Sequence, residues 1–99
     1  MSTETKVTIK PNLKLRNPKM YKVIYLNDDV TTMDFVVTSL VDYFDHTESS
    51  AVDITQEIHV SGSAVVAVLP HEIAEQKGIE VTLDAQNQGY PLKVKIESE

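Results

Sequence analysis

Residues 18–36, PKMYKVIYLNDDVTTMDFV, decide how the chain is read. Tyr21 to Leu26 is rich in β-branched and aromatic side chains, which predicts a first strand. The strand runs into a polar turn, Asn27-Asp28-Asp29. Such residues favour turns because their short side chains hydrogen-bond nearby backbone and tolerate unusual dihedrals. Three side-chain acceptors in a row between a strand and a helix also make a ready cation site, so the turn has both a structural and a functional reading. Thr31 or Thr32 then caps a helix. Asp34, three residues after Thr31, gives a variant capping box and puts negative charge at the positive helix end. Met33, Val36, Val37, Leu40, Val41 and Phe44 recur at spacings of three and four, one apolar helical face on which Met33 reads as core.

Downstream, Thr47 followed by Glu48 opens a second helix with Ala51, Ile54, Thr55 and Ile58 on one side. His59 lies four residues after Thr55, beside that face, and Gly62 is a natural helix stop. Ser63 to Leu69 is a continuous apolar run of strand length, which reads as a central strand. Pro70 suits the start of a third helix with Ile73, Ala74 and Val81 turned inward. The local signal there is mixed. Gly78 costs a helix about 1 kcal/mol relative to Ala, and Ile79 to Leu83 alternates like a strand. Asn87-Gln88-Gly89 closes that element. A last strand follows, with Leu92, Val94 and Ile96 on one side and two lysines on the other to guard an edge. The order β-α-α-β-α-β predicts an α+β domain, a small three-stranded antiparallel sheet with three helices on one face.

With 99 residues and 41% apolar composition the chain holds one core. It has no cysteine, which removes disulfides, thiolate metal sites and thiol nucleophiles and is compatible with a reducing cytosol. No apolar run approaches a membrane span or a signal-peptide core, so no membrane role and no export are expected. The net charge of −6 is unevenly spread. Lys6, Lys10, Lys14, Arg16, Lys19 and Lys22 face one acid, Glu4, in the first 22 positions. From residue 23 onward fourteen acids face three lysines, a balance of −11 that repels nucleic acid. Residues 1–17, polar with scattered apolar side chains, read as a flexible arm, and residues 18–99 as the core domain.

Several blocks stand in register: Met20 to Ile24, Leu26 to Asp29, Thr31 with Met33 to Val36, Ile58-His59 with Gly62, Glu72 to Glu75 with Lys77, and Pro91-Leu92. Together they resemble the ClpS family of Clp protease adaptors over about residues 18–97. The resemblance implies a fold like the C-terminal domain of ribosomal protein L7/L12, with 70–88 helical. It also implies an N-degron adaptor: no enzyme and no cofactor, but a cytoplasmic monomer that binds proteins whose first residue is Leu, Phe, Tyr or Trp. It would hand these to a ClpA-like or ClpC-like AAA+ unfoldase.

A free N-terminus is an ammonium with three donors, so a specific site needs about three converging acceptors. By resemblance these come from Asn27, His59 and the Asp28-Asp29 pair, with Asp29 favoured. His59 must present an unprotonated nitrogen, since its charged form would be a second cation facing the first. The resemblance draws the wall of the side-chain pocket from Thr31, Met33, Val36, Thr55, Ile58 and Leu92. Thr55 stands where the family often has Met, which implies a wider, more polar mouth. Thr32 stands in place of a frequent Pro. Glu72 and Lys77 match positions that dock on the unfoldase N-domain, with the His59 end of the molecule expected nearby, and the arm is engaged during hand-off. Two other readings compete: a metal or acid–base site built from Asp28, Asp29 and His59, and a structural domain sharing the fold without degron binding.

Overall fold

The computed structural model describes residues 18–99; the arm expected over residues 1–17 lies outside the described residues. Strand β1 (Met20–Leu26) is followed by helices α1 (Met33–Phe44) and α2 (Glu48–Ser61), then by β2 (Ser63–Pro70), α3 (His71–Asn87) and β3 (Lys93–Ser98). The three strands form one antiparallel sheet in the order β2-β1-β3, with the three helices packed on one face. The α+β reading therefore holds, and 71–87 is helical throughout.

The central strand is β1, and the apolar run of β2 lies at an edge. Its pattern looked central because both faces carry valines. Ala64 and Val66 are buried beneath the helices, while Val65 and Val68 remain 44% and 38% exposed on the opposite face. A bulge opposite Val23 and Ile24 leaves Val66 as the extra residue. The Val66 carbonyl accepts from His46 Nε2 at 2.7 Å, which ties the α1–α2 connection to the edge strand.

Helix α3 buries Ala74, Gly78, Val81 and Ala85, a stripe of small side chains at helical spacing. Added at Gly78, a Cβ would lie 3.4 Å from Ile96 Cδ1 and 3.6 Å from Val94 Cγ1, so the glycine brings the helix backbone close to β3. Ile73, expected inward, is exposed. Ile79 and Leu83, which produced the strand-like alternation, also lie off the buried stripe, at 58% and 54% exposure.

The caps are local. Thr32, not Thr31, is the N-cap of α1, and its hydroxyl accepts from Phe35 N–H at 3.1 Å. Asp34 therefore falls one position short of a capping box and acts only as first-turn charge. Thr47 caps α2 through Ser50 N–H at 3.1 Å, and Gly62 ends it at φ 90°, a conformation that favours glycine.

Sheet and first helix are joined through a buried phenol. Tyr25 is fully buried, and its hydroxyl lies 2.8 Å from Ser39 Oγ. The single Ser39 proton goes to the Val36 carbonyl at 2.8 Å, so Tyr25 is the donor in the first bond. Burial pushes the Tyr25 phenol well above its ordinary range despite that bond, and it stays neutral. Ser39→Ala leaves a buried O–H with no acceptor and is expected to cost about 1 to 3 kcal/mol. Tyr25→Phe, which leaves the Ser39 bond to Val36 intact, is expected to cost less. Combining the two should recover part of the Ser39→Ala loss, a non-additivity that urea denaturation of the four proteins measures.

Candidate functional site

Leu26 pairs with Ser63, so β1 and β2 begin and end the α1–α2 segment at the same place. One step beyond the strand, Asn27 N–H donates to the Gly62 carbonyl at 2.9 Å. That bond fixes the start of the acidic turn against the end of α2, three residues after His59. Between the turn, the first turns of α1 and the last turns of α2 lies a cavity of about 260 Å³.

Nine residues line it: Asn27, Asp28 and Asp29 from the turn, Thr31 from the link to α1, Met33 and Val36 from the start of α1, and Thr55, Ile58 and His59 from α2. The structure thus gathers nine of the ten residues assigned by sequence to the amino-group and side-chain positions. Leu92 is apart. It is buried, and it borders a different depression with Leu26, Pro91 and Val94.

The three turn residues differ in what they have left to offer. Asp28 Oδ1 accepts from Val30 N–H at 2.8 Å and Thr31 N–H at 2.6 Å, and Oδ2 accepts from the Thr31 hydroxyl at 2.7 Å. Partial burial alone would raise the Asp28 pKa. The bonds from Thr31, backbone and side chain, and from Val30 outweigh it and hold the carboxyl below its ordinary value. Asp28 is therefore a turn organiser that fixes Thr31 in the wall. Asn27, Asp29 and His59 line the cavity with no side-chain hydrogen bond to any other described residue. The resemblance favours Asp29 of the acidic pair, and the Val30 and Thr31 amides, two and three residues beyond Asp28, supply the physical reason.

The wall is apolar: Val36 and Ile58 are buried, and Met33, expected in the core, is 45% exposed at the opening. Thr55 is 5% exposed and belongs to the inner wall. Its hydroxyl proton is held by the Ala51 carbonyl at 2.7 Å, so the position is less polar than a free threonine. Among the described residues no group of three His, Cys, Asp or Glu side chains is arranged to hold a metal ion. The arrangement therefore offers neutral and anionic acceptors beside an apolar hole, a complement to one cation carried on an apolar group.

Glu72, in the first turn of α3, lies elsewhere. Pro70, just before α3, pairs with Met20 at the start of β1, whereas the cavity adjoins Asn27 beyond its end. The first turn of α3 and His59 are thus near opposite ends of a seven-residue strand, about 20 Å apart along it, and not neighbours as expected.

Comparison with known proteins identifies the family. The family model described as "ATP-dependent Clp protease adaptor protein ClpS" matches residues 16–95. The chain belongs to the ClpS family. Among its ClpS relatives, the adapter of Bdellovibrio bacteriovorus is 50% identical over 86 residues, 87% of this chain and 75% of that one. The Clostridium acetobutylicum adapter is 43% identical over 94 residues, 95% of this chain and 93% of its own. The solved structure of Agrobacterium tumefaciens ClpS2 bound to L-phenylalaninamide superposes with a TM-score of 0.80 at 40% identity, covering 84% of this chain and all of that one. As a ClpS protein the chain is a Clp protease adaptor and not an enzyme, and an adaptor partners a Clp protease and its substrates. No described helix is long and apolar enough to cross a membrane.

The depressed Asp28 value has a consequence of definite sign. A carboxyl whose folded value lies below its ordinary 3.8 contributes stability above that pH and loses it as pH falls further. Asp28→Ala is expected to cost about 1 to 2 kcal/mol at neutral pH, comparable to loss of a helix cap. The gap between the two proteins should narrow as pH drops below 3.8, which thermal melts across the acid range would follow.

Proposed function

We propose that the cavity binds the free N-terminus of proteins beginning with Leu, Phe, Tyr or Trp, and that the chain delivers them to a Clp AAA+ unfoldase for degradation. The observation that carries the reading is the placement of Asn27, Asp29 and His59 around the rim of an apolar pocket formed with Met33, Val36 and Ile58. L-Phenylalaninamide, the ligand of the Agrobacterium ClpS2 structure, joins a free α-amino group to a phenyl ring and has no free carboxylate. It presents the two features that this cavity complements. The ammonium takes up the acceptors, and the first side chain fills the hole.

The two contributions are of similar size. Each hydrogen bond to the ammonium is worth about 1.5 to 3 kcal/mol, and burying a Leu or Phe side chain contributes a comparable amount. Both are therefore needed for useful affinity, which separates a free Leu terminus from an internal Leu. On this reading Glu72 and Lys77 dock on the N-domain of a ClpA-like or ClpC-like unfoldase, and the adaptor works as a cytoplasmic monomer. Glu72 is exposed in the first turn of α3, with its carboxylate accessible to a partner.

A fluorescent Leu-initiated peptide and its N-acetylated twin test the reading by anisotropy. Acetylation removes the charge and two donors and is expected to weaken binding by at least about tenfold. His59→Ala should lose affinity for the free peptide and little for the acetylated one. Equal binding of the two peptides would refute the proposal and favour a structural domain.

Thr55 sets a second expectation. A short side chain tied back to its own helix leaves room beside Val36 and Ile58 for a substrate branched at Cβ. Ile-initiated peptide is expected to bind within about tenfold of Leu, and Thr55→Met to widen the gap. A deficit of about a hundredfold for Ile in the unaltered protein would contradict this.

A further inference from the structure

A second depression lies away from the cavity, between α3 and β3. It is lined by Ile79, Leu83, Val94 and Ile96 and floored by Gly78, whose missing Cβ lets the helix and strand come together beneath it. It is mostly apolar, and Ile79 and Leu83 are more than half exposed along it. A neighbouring depression shares Glu75 and Ile79 with it and adds Glu72 and Glu80, so one flank of the groove is acidic. On the β3 side, Lys95 is paired with Glu97 at 2.9 Å. Exposed apolar side chains flanked by carboxylates call for a segment that is apolar on one side and basic on the other.

The chain carries such a segment. From residue 6 to 16 the sequence reads KVTIKPNLKLR. Every odd position is apolar: Val7, Ile9, Pro11, Leu13 and Leu15. The even positions are Lys6, Thr8, Lys10, Asn12, Lys14 and Arg16. In an extended chain this alternation puts all the apolar side chains on one side and four cations on the other. The connection is also short. β1 begins at Met20, whose carbonyl accepts from Glu99 N–H at 3.1 Å, so the preceding residues join the fold beside the end of β3. Ile96, in the groove, pairs with Val23 only three residues into β1. Seventeen extended residues would reach about 55 Å, well beyond the length of α3.

We propose that the α3–β3 groove is a docking site for residues 6–16 of the same chain, with Val7, Ile9, Leu13 and Leu15 against Ile79, Leu83, Val94 and Ile96 and the cations against Glu72, Glu75 and Glu80. Because the acidic flank includes Glu72, docking of the arm and contact of α3 with a partner compete for the same carboxylates. The proposal concerns a face remote from the cavity and stands whether or not the cavity binds N-termini.

The absence of cysteine makes the test direct. A full-length Thr8→Cys protein takes a single nitroxide label, and its effect is read on the methyl signals of the isotope-labelled chain. Docking predicts selective loss of the Ile79, Leu83, Val94 and Ile96 methyl signals, while Val52 and Val60 on α2 keep theirs. Leu83→Asp, and separately Glu75→Lys with Glu80→Lys, should restore the lost signals. Loss at Val65 and Val68 instead, or no selective loss anywhere, overturns the proposal. A mixed sample, with the nitroxide on unlabelled chains and the isotope on nitroxide-free ones, should show no selective loss. Equal loss in that sample would assign the groove to a second copy and overturn docking in cis.

Discussion

One backbone hydrogen bond, from Asn27 N–H to the Gly62 carbonyl, sets the acidic turn against the end of α2 and so shapes the candidate site. The Leu26–Ser63 pair brings the two segments side by side. With the Asn27–Gly62 bond, the β1–β2 ladder is extended one step past Leu26 and Ser63, and the two segments are held at hydrogen-bond distance. The left-handed conformation of Gly62 is part of the same constraint, because it ends α2 and turns the chain into β2. The sheet supplies the leverage: Val23 and Tyr25 are fully buried in the central strand, and the Tyr25–Ser39–Val36 relay holds α1 to that strand beside the cavity wall.

Within the turn, three chemically similar residues have divided the work. Asp28 is saturated by three donors from Val30 and Thr31, which makes it rigid and removes it from competition for a ligand. Asn27 has its backbone committed to Gly62 and its side chain left over. Asp29 has neither commitment among the described residues. On the proposed reading, the fixed member holds the wall while the uncommitted members are left for the ligand.

Much of this was legible in the sequence because the relevant signals are local. The Thr47 cap, the Gly62 stop, the strand ending at Asn27 and the apolar stripe of α1 are each written within a few residues, and the structure has them there. The site was legible for a different reason: its residues sit in blocks whose register resembles a family, and nine of ten gather in one cavity. What failed depends on tertiary packing. A run of valines cannot say which of its faces a helix will cover, so β2 read as central although only Ala64 and Val66 on that strand are buried. In α3 the inward stripe consists of Ala, Gly, Val and Ala. Large apolar residues drew attention to Ile73, Ile79 and Leu83, which lie outside it, and the small ones were chosen by close approach to β3. The placement of Glu72 relative to His59 was carried by register alone, which orders residues along a chain without fixing distances between them.

The separation of the two ends of β1 bears on how an adaptor works. If the cavity and the first turn of α3 shared a surface, a partner docked at Glu72 would crowd the substrate at His59, and each binding event would weaken the other by direct contact. On the proposed reading they are placed a strand length apart and need not exclude one another. That reading suits an adaptor, which holds one polypeptide while a second machine takes it away, since the two need not meet by direct contact.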